Sequence, residues 1–191
     1  MLTRRSTLLS LAALPLAGPG LAATLGDDGL YDSPIISDTF LELGPDLEDA
    51  AANGKGLIVL FEQRGCPYCR ELHEVNFAKP EIAEFQINNF TTLQLDMWGS
   101  RAVVDFDGAE IEERELATRW AVNFTPTLVF FTAESGPREV FRMPGYFKPF
   151  HYISALEYVA FGHHKDQPFQ RYLQDKLADY AARGVDPAVW E

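Results

Sequence analysis

Cysteine is nearly absent from this chain: Cys66 and Cys69 are the only two among 191 residues. One possible pair cannot make a disulfide-stapled scaffold, and a bond closing so short a loop restrains the unfolded chain little. The pair therefore reads as chemistry rather than reinforcement. Positive charge is also scarce. Lys and Arg number 16 against 28 Asp and Glu, a formal net charge of −12, which argues against nucleic acid or an anionic membrane surface as a partner. Apolar runs are short, and none reaches the roughly 20 residues that a membrane-spanning helix needs. With no internal repeat or low-complexity tract, the length fits one domain with a few additions.

Residues 1–23 do not read as part of a folded domain. Arg4 and Arg5 form a positive n-region, Leu8 to Leu16 an apolar h-region, and Leu21-Ala22-Ala23 ends in small residues suited to cleavage before Thr24. The expectation is an export signal, whose removal leaves no stable membrane insertion and takes away two arginines and no acid. Thr3-Arg4-Arg5 followed by Leu8 and Leu9 fits a twin-arginine signal, and paired arginines also occur in ordinary Sec signals.

Residues 24–44, rich in Gly, Asp and Ser, are expected to be an extended lead-in. A helix over Pro45 to Ala52 is stopped by Asn53-Gly54. Gly56 to Glu62 is continuously apolar up to Phe61 and suits a strand buried on both faces. A helix beginning at the cysteines should run to about Asn76, and another from Pro80 to Asn88, ahead of a strand over Phe90 to Met97. Trp98 to Gly108 reads as an inserted hairpin, with Ala102-Val103-Val104 a short strand and Asp107-Gly108 its turn. Glu110 to Ala121 has helical spacing, with Leu116, Ala117 and Trp120 on one face and Glu112, Glu113, Arg114 and Glu115 on the other. Strands over Thr127 to Thr132 and Arg138 to Met143 are joined too closely to be parallel. Helices from Pro149 to Phe161 and Pro168 to Ala182 follow. This order predicts a three-layer α/β domain over residues 45–161, with a mixed central sheet, and a helical extension over 162–191.

The chemistry concentrates at Cys66-Pro67-Tyr68-Cys69, between the buried strand and a helix. That setting puts Cys66 at a helix N-terminus, where free N–H groups and the helix dipole favour thiolate over thiol. Cys66 is the expected nucleophile and Cys69 the resolving thiol, with Tyr68 exposed beside them. His73 lies four residues beyond Cys69 and could share its helix face, so a copper or zinc site formed by Cys66, Cys69 and His73 is an alternative. A surface or partly buried histidine is the plainer reading, and no fourth ligand is evident. Glu62 and Arg64 flank the motif, either tuning Cys66, contacting substrate or forming a surface ion pair. Trp98 and Trp120 read as core. Tyr146 and Phe147 read either as docking surface or as packing against the last helices.

Cys66-Pro67-Tyr68-Cys69, together with Phe124-Thr125-Pro126-Thr127-Leu128 ahead of an apolar strand, resembles the thioredoxin fold over roughly Pro45 to Phe161. The resemblance implies a cis Thr125–Pro126 bond beside the redox pair, with Thr125 and Pro126 contacting an extended substrate and Gly145 letting a partner approach. More narrowly, Phe61 to His73, with Trp98-Gly99-Ser100 and Met143 to Phe150, is similar to SoxW, the periplasmic thioredoxin associated with bacterial sulfur oxidation. This implies a periplasmic reductase of protein disulfides, supplied with electrons by a membrane carrier. No cofactor beyond the Cys66–Cys69 disulfide is implied; an oxidase or isomerase of the same fold remains an alternative. Two departures stand out: Gly65 precedes Cys66 where thioredoxins carry tryptophan, and Leu60 occupies the place of their buried acid, which leaves Glu62 the nearest acid on that strand.

Overall fold

The computed structural model describes residues 23–190, so the export signal expected over residues 1–23 lies outside the described residues save for Ala23. Four strands form the central sheet: β3 (Gly56–Glu62), β4 (Phe90–Asp96), β7 (Thr127–Phe131) and β8 (Phe141–Pro144), in the order β4-β3-β7-β8. β3 and β4 run parallel, joined by a helical crossover, whereas β7 is antiparallel to β3 and β8 to β7. The sheet is mixed, as the short connection into β8 requires. β8 begins at Phe141 rather than Arg138, because the segment after β7 first closes a turn through Ser135.

Both faces of the sheet are covered, which explains why β3 is apolar without alternation. Leu57, Val59 and Phe61 face α1 (Leu43–Ala52) and α4 (Glu113–Arg119), joining Leu43, Leu47, Leu116 and Ala117 in one core. Ile58 and Leu60 face α3 (Pro80–Asn89) and α5 (Pro149–Ala160), packing with Ile82, Tyr152 and Leu156 in the other. Burying a side chain such as Leu60 is worth about 1.5–3 kcal/mol, so the two cores anchor β3 and fix where its C-terminal end emerges. That end carries the redox motif.

Outside the sheet, β1 (Thr24–Leu25) and β2 (Tyr31–Asp32) pair as a small hairpin within the lead-in. Ala102–Val104 is strand β5, as expected, and pairs with β6 (Glu110–Glu112). The helix expected from Glu110 therefore starts at Glu113, because its first three residues are taken by this ladder. α6 (Phe169–Ala182) packs on α5 through aromatic contacts of Tyr158 with Phe169 and Tyr172. Among the described residues, no helix is long and apolar enough to cross a membrane.

Candidate active site

Three residues after β3, Gly65 leads into Cys66, the N-cap of α2 (Pro67–Glu71). Pro67 occupies the first helical turn, where its missing N–H costs nothing. Cys66 and Cys69 are disulfide-bonded, with Cα atoms 5.2 Å apart. Cys66 is 6% exposed and Cys69 1%, so Cys66 is the sulfur an incoming partner can reach. The Cys69 amide donates to Cys66 Sγ at 3.1 Å, and the Thr125 hydroxyl at 3.3 Å. Both donors would stabilise negative charge on that sulfur after reduction. The Thr125 carbonyl oxygen lies 3.6 Å from the same atom, and Thr125–Pro126 is cis.

The helix expected to reach Asn76 changes character halfway. Leu72–Asn76 is a π-helical turn, closed by the Phe77 amide donating to the Leu72 carbonyl at 3.0 Å. Such turns occur often at functional sites. This one directs His73 and Asn76 inward; both are essentially buried.

His73 is therefore fully buried rather than on the surface or partly buried. Its Nε2 lies 3.0 and 3.1 Å from the two carboxylate oxygens of Glu62. Its ring is stacked on Tyr31 of the N-terminal hairpin and edge-on to Phe77. Its Nδ1 is buried without a hydrogen-bond partner. Gln94 of β4 donates to Glu62 at 2.5 Å and to the Tyr31 carbonyl at 2.9 Å. The reading of Glu62 and Arg64 as an ion pair is also corrected. Glu62 follows Ile58 and Leu60 on the inner face of β3, whereas Arg64 lies beyond the strand and donates to the Asp28 carbonyl at 3.0 Å. Nor do Cys66, Cys69 and His73 form a ligand set, since His73 is turned to Glu62. Among the described residues, no group of three or more His, Cys, Asp or Glu is placed to hold a metal ion.

A groove of about 680 Å³ opens at Cys66, flanked by Thr125 and Gly145. Gly145 has φ +86°, and a Cβ there would meet nothing within 4 Å, so this side of the groove is open. Tyr68 is exposed as expected, and stacks with Tyr146 at 6.4 Å. Tyr146 and Phe147 are half-buried against the α5 core. The Tyr146 hydroxyl donates to Asn76 at 3.0 Å, and burial, followed by the Glu71 charge, pushes its pKa up. Trp120 packs with Phe61, Phe106 and Phe131, whereas Trp98 is 67% exposed and not core. Sequence reasoning missed the Glu62–His73–Gln94 set and the placement of Trp98. The first was signalled by the alternation of Ile58, Leu60 and Glu62 along one face of β3.

Residues 43–160 match the family model of the thioredoxin-like domain. Among curated protein sequences none matches. Among solved structures, a thioredoxin-fold protein from Helicobacter pylori is 23% identical with a TM-score of 0.58, the match covering 76% of this chain and 89% of that one. A candidate disulphide-isomerase from Bacteroides thetaiotaomicron is 24% identical with a TM-score of 0.50, covering 69% and 96%. A thioredoxin from Thermus thermophilus is 26% identical with a TM-score of 0.49, covering 62% and 83%. A buried cysteine pair at a strand-to-helix junction, facing a cis-proline loop on a four-stranded mixed sheet, is the arrangement this family uses for its exchange chemistry. The chain belongs to the thioredoxin-like domain family and is a thiol–disulfide oxidoreductase working through Cys66 and Cys69.

Proposed function

We propose that this oxidoreductase works as a reductase of protein disulfides in the periplasm, after export directed by residues 1–23. Protein thiols are the partners the family implies. The observation that carries the direction is the environment of Cys66 Sγ. A dithiol becomes a strong oxidant when its reduced form is strongly stabilised. Here the donors to Sγ, among the described residues, are one amide and one hydroxyl, both neutral. The nearby arginines are turned elsewhere, Arg64 to the Asp28 carbonyl and Arg70 towards Glu74, and the His73 ring faces Glu62. Modest stabilisation of the thiolate supports a reducing potential.

In the reductive direction the Cys66 thiolate attacks one sulfur of the substrate disulfide. A mixed disulfide forms, and the other substrate sulfur leaves as thiolate and takes up a proton. Cys69 then gives up its proton and attacks Cys66 Sγ, which releases the second substrate thiol. Two electrons have passed to the substrate, its two thiols hold one proton from Cys69 and one from solvent, and the Cys66–Cys69 disulfide remains. A membrane carrier would restore the dithiol. The similarity to SoxW across Phe61 to His73 supports a place in sulfur-compound oxidation.

A glutathione titration tests the direction, with a potential below about −200 mV expected; a value near about −120 mV would make the protein an oxidase. A Cys69→Ser variant expressed with its leader tests the partner class. It should accumulate mixed disulfides with periplasmic proteins through Cys66, and their absence would count against protein substrates.

A further inference from the structure

The groove at Cys66 differs from the rest of this acidic chain. None of its lining residues is charged, although the chain carries a formal net charge of −12. Three large exposed side chains converge on it: Trp98 at 67%, Phe124 at 64% and Tyr68 at 58%. Exposed aromatic surface around a reactive sulfur marks an interaction site, and uncharged walls favour an uncharged occupant.

Trp98 is fixed as well as exposed. Its indole N–H donates to the Gln63 side-chain oxygen at 2.6 Å, and its backbone N–H to an Asp96 carboxylate oxygen at 2.9 Å. The following residues are clamped from below. Glu113, essentially buried, accepts from the amides of Asp96 at 2.9 Å and Arg101 at 3.2 Å, and from the Arg101 guanidinium at 2.6 and 3.0 Å. Gly99 sits so close to this carboxylate that a Cβ would lie 2.0 Å from Glu113 Oε2, and only glycine allows the approach. A surface aromatic held at both its ring and its backbone has already lost the freedom that binding would otherwise remove.

We infer that Trp98 is a specificity-determining residue of the exchange reaction. With Phe124 in the same groove, it receives a large apolar side chain beside the reactive cysteine of an extended, uncharged stretch of a protein disulfide. Glu113 acts as a positioning residue through Gly99 and Arg101. The inference rests on the reading that the substrates are protein disulfides.

Two disulfide-bonded peptides that differ only in Leu or Ser next to the cysteine provide the test. Hydroxyethyl disulfide, lacking any such side chain, is a third substrate. Single-turnover rate constants for the pre-reduced protein are read by chromatography of the products. The wild type should prefer the Leu peptide by about 10-fold, the selectivity that one well-packed aliphatic group gives. Trp98→Ala should bring this ratio close to one, and Trp98→Phe should keep most of it. A ratio unchanged in Trp98→Ala, or a wild type indifferent to Leu and Ser, overturns the inference while peptide turnover upholds the protein-substrate reading. If the wild type reduces hydroxyethyl disulfide but neither peptide, the protein-substrate reading fails and takes the inference with it.

Discussion

Glu62 and Glu113 are both 1% exposed, yet they are held in different ways. Glu113 is held by a permanent cation: Arg101 donates to it twice, and the amides of Asp96 and Arg101 complete its shell. Glu62 is held by the His73 imidazole and by the amide of Gln94. A buried carboxylate clasped by an arginine and two amides is fixed on several sides, whereas one held by an imidazole on a π-helical turn depends on the packing of that turn to keep its partner. The first sits beneath the loop that presents Trp98. The second lies beneath the redox helix, between β3 and the turn that follows Cys69. The molecule thus places one buried carboxylate under its groove and another at the end of the strand that leads into the redox pair.

The largest effect is expected at His73. In His73→Leu, Glu62 keeps only Gln94 as a side-chain partner in a closed site, and breaking such a buried pair costs about 3–5 kcal/mol. Removing both partners in Glu62→Leu/His73→Leu should bring stability back to within about 1–2 kcal/mol of wild type. Urea unfolding of the oxidised proteins measures both, and a single mutant no worse than the double would show that the two residues are not coupled. Redox readout sharpens the contrast. Glu62 ends the strand that leads into the motif and holds the turn that follows Cys69, so Glu62→Gln should shift the reduction potential by on the order of 30 mV. Glu113→Gln should leave the potential where it is.

A smaller loss is expected from Glu113→Leu, about 2–3 kcal/mol, because it orphans the amides of Asp96 and Arg101. Arg101 is half exposed, and its freed guanidinium can turn to water. The same variant should weaken the Leu-over-Ser peptide preference, since Gly99 and Trp98 lose their support. A stability loss with the preference intact would confine Glu113 to the fold.

Much of this was legible in the sequence, and the reasons for the gaps are physical. The continuous apolar runs of β3 and β7, the cysteine motif and Thr125-Pro126 announce themselves because strand burial and motif chemistry are local properties. Pairings between elements do not. The Glu62–His73 contact depends on a π-helical turn that shifts His73 inward, and no spacing rule for a regular helix anticipates it. Helical spacing puts Glu113 with Glu112, Arg114 and Glu115 on a charged face. It turns inward because β6 ends at Glu112 and Arg101 lies opposite to receive it. Large aromatics usually pack in cores, whereas Trp98 is held at the surface by Gln63, a partner 35 residues away in the chain just beyond β3.

Asp46 completes the series as a buried carboxylate that no cation pairs with among the described residues. It is 8% exposed and accepts from the Thr39 hydroxyl at 3.3 Å. Burial pushes its pKa up, the Thr39 bond opposes this, and the charges of Asp49 and Glu42 add to the rise. The sign follows from linkage. With its pKa raised in the folded state, the native protein holds the proton to higher pH than the unfolded chain does, and stability falls as pH rises through that interval. Asp46 therefore costs stability at neutral pH and nothing once both states are protonated. Asp46→Asn keeps an acceptor for Thr39 without the charge, and is expected to be more stable than wild type near pH 7, by on the order of 0.5 kcal/mol. The difference should vanish below about pH 3, where the aspartate is neutral in either state. Urea midpoints at the two pH values decide it. A variant less stable than wild type near neutrality would mean that attraction between Asp46 and the N-terminal turn of α1 outweighs its desolvation, and that even a carboxylate without a cation can be a fixture here.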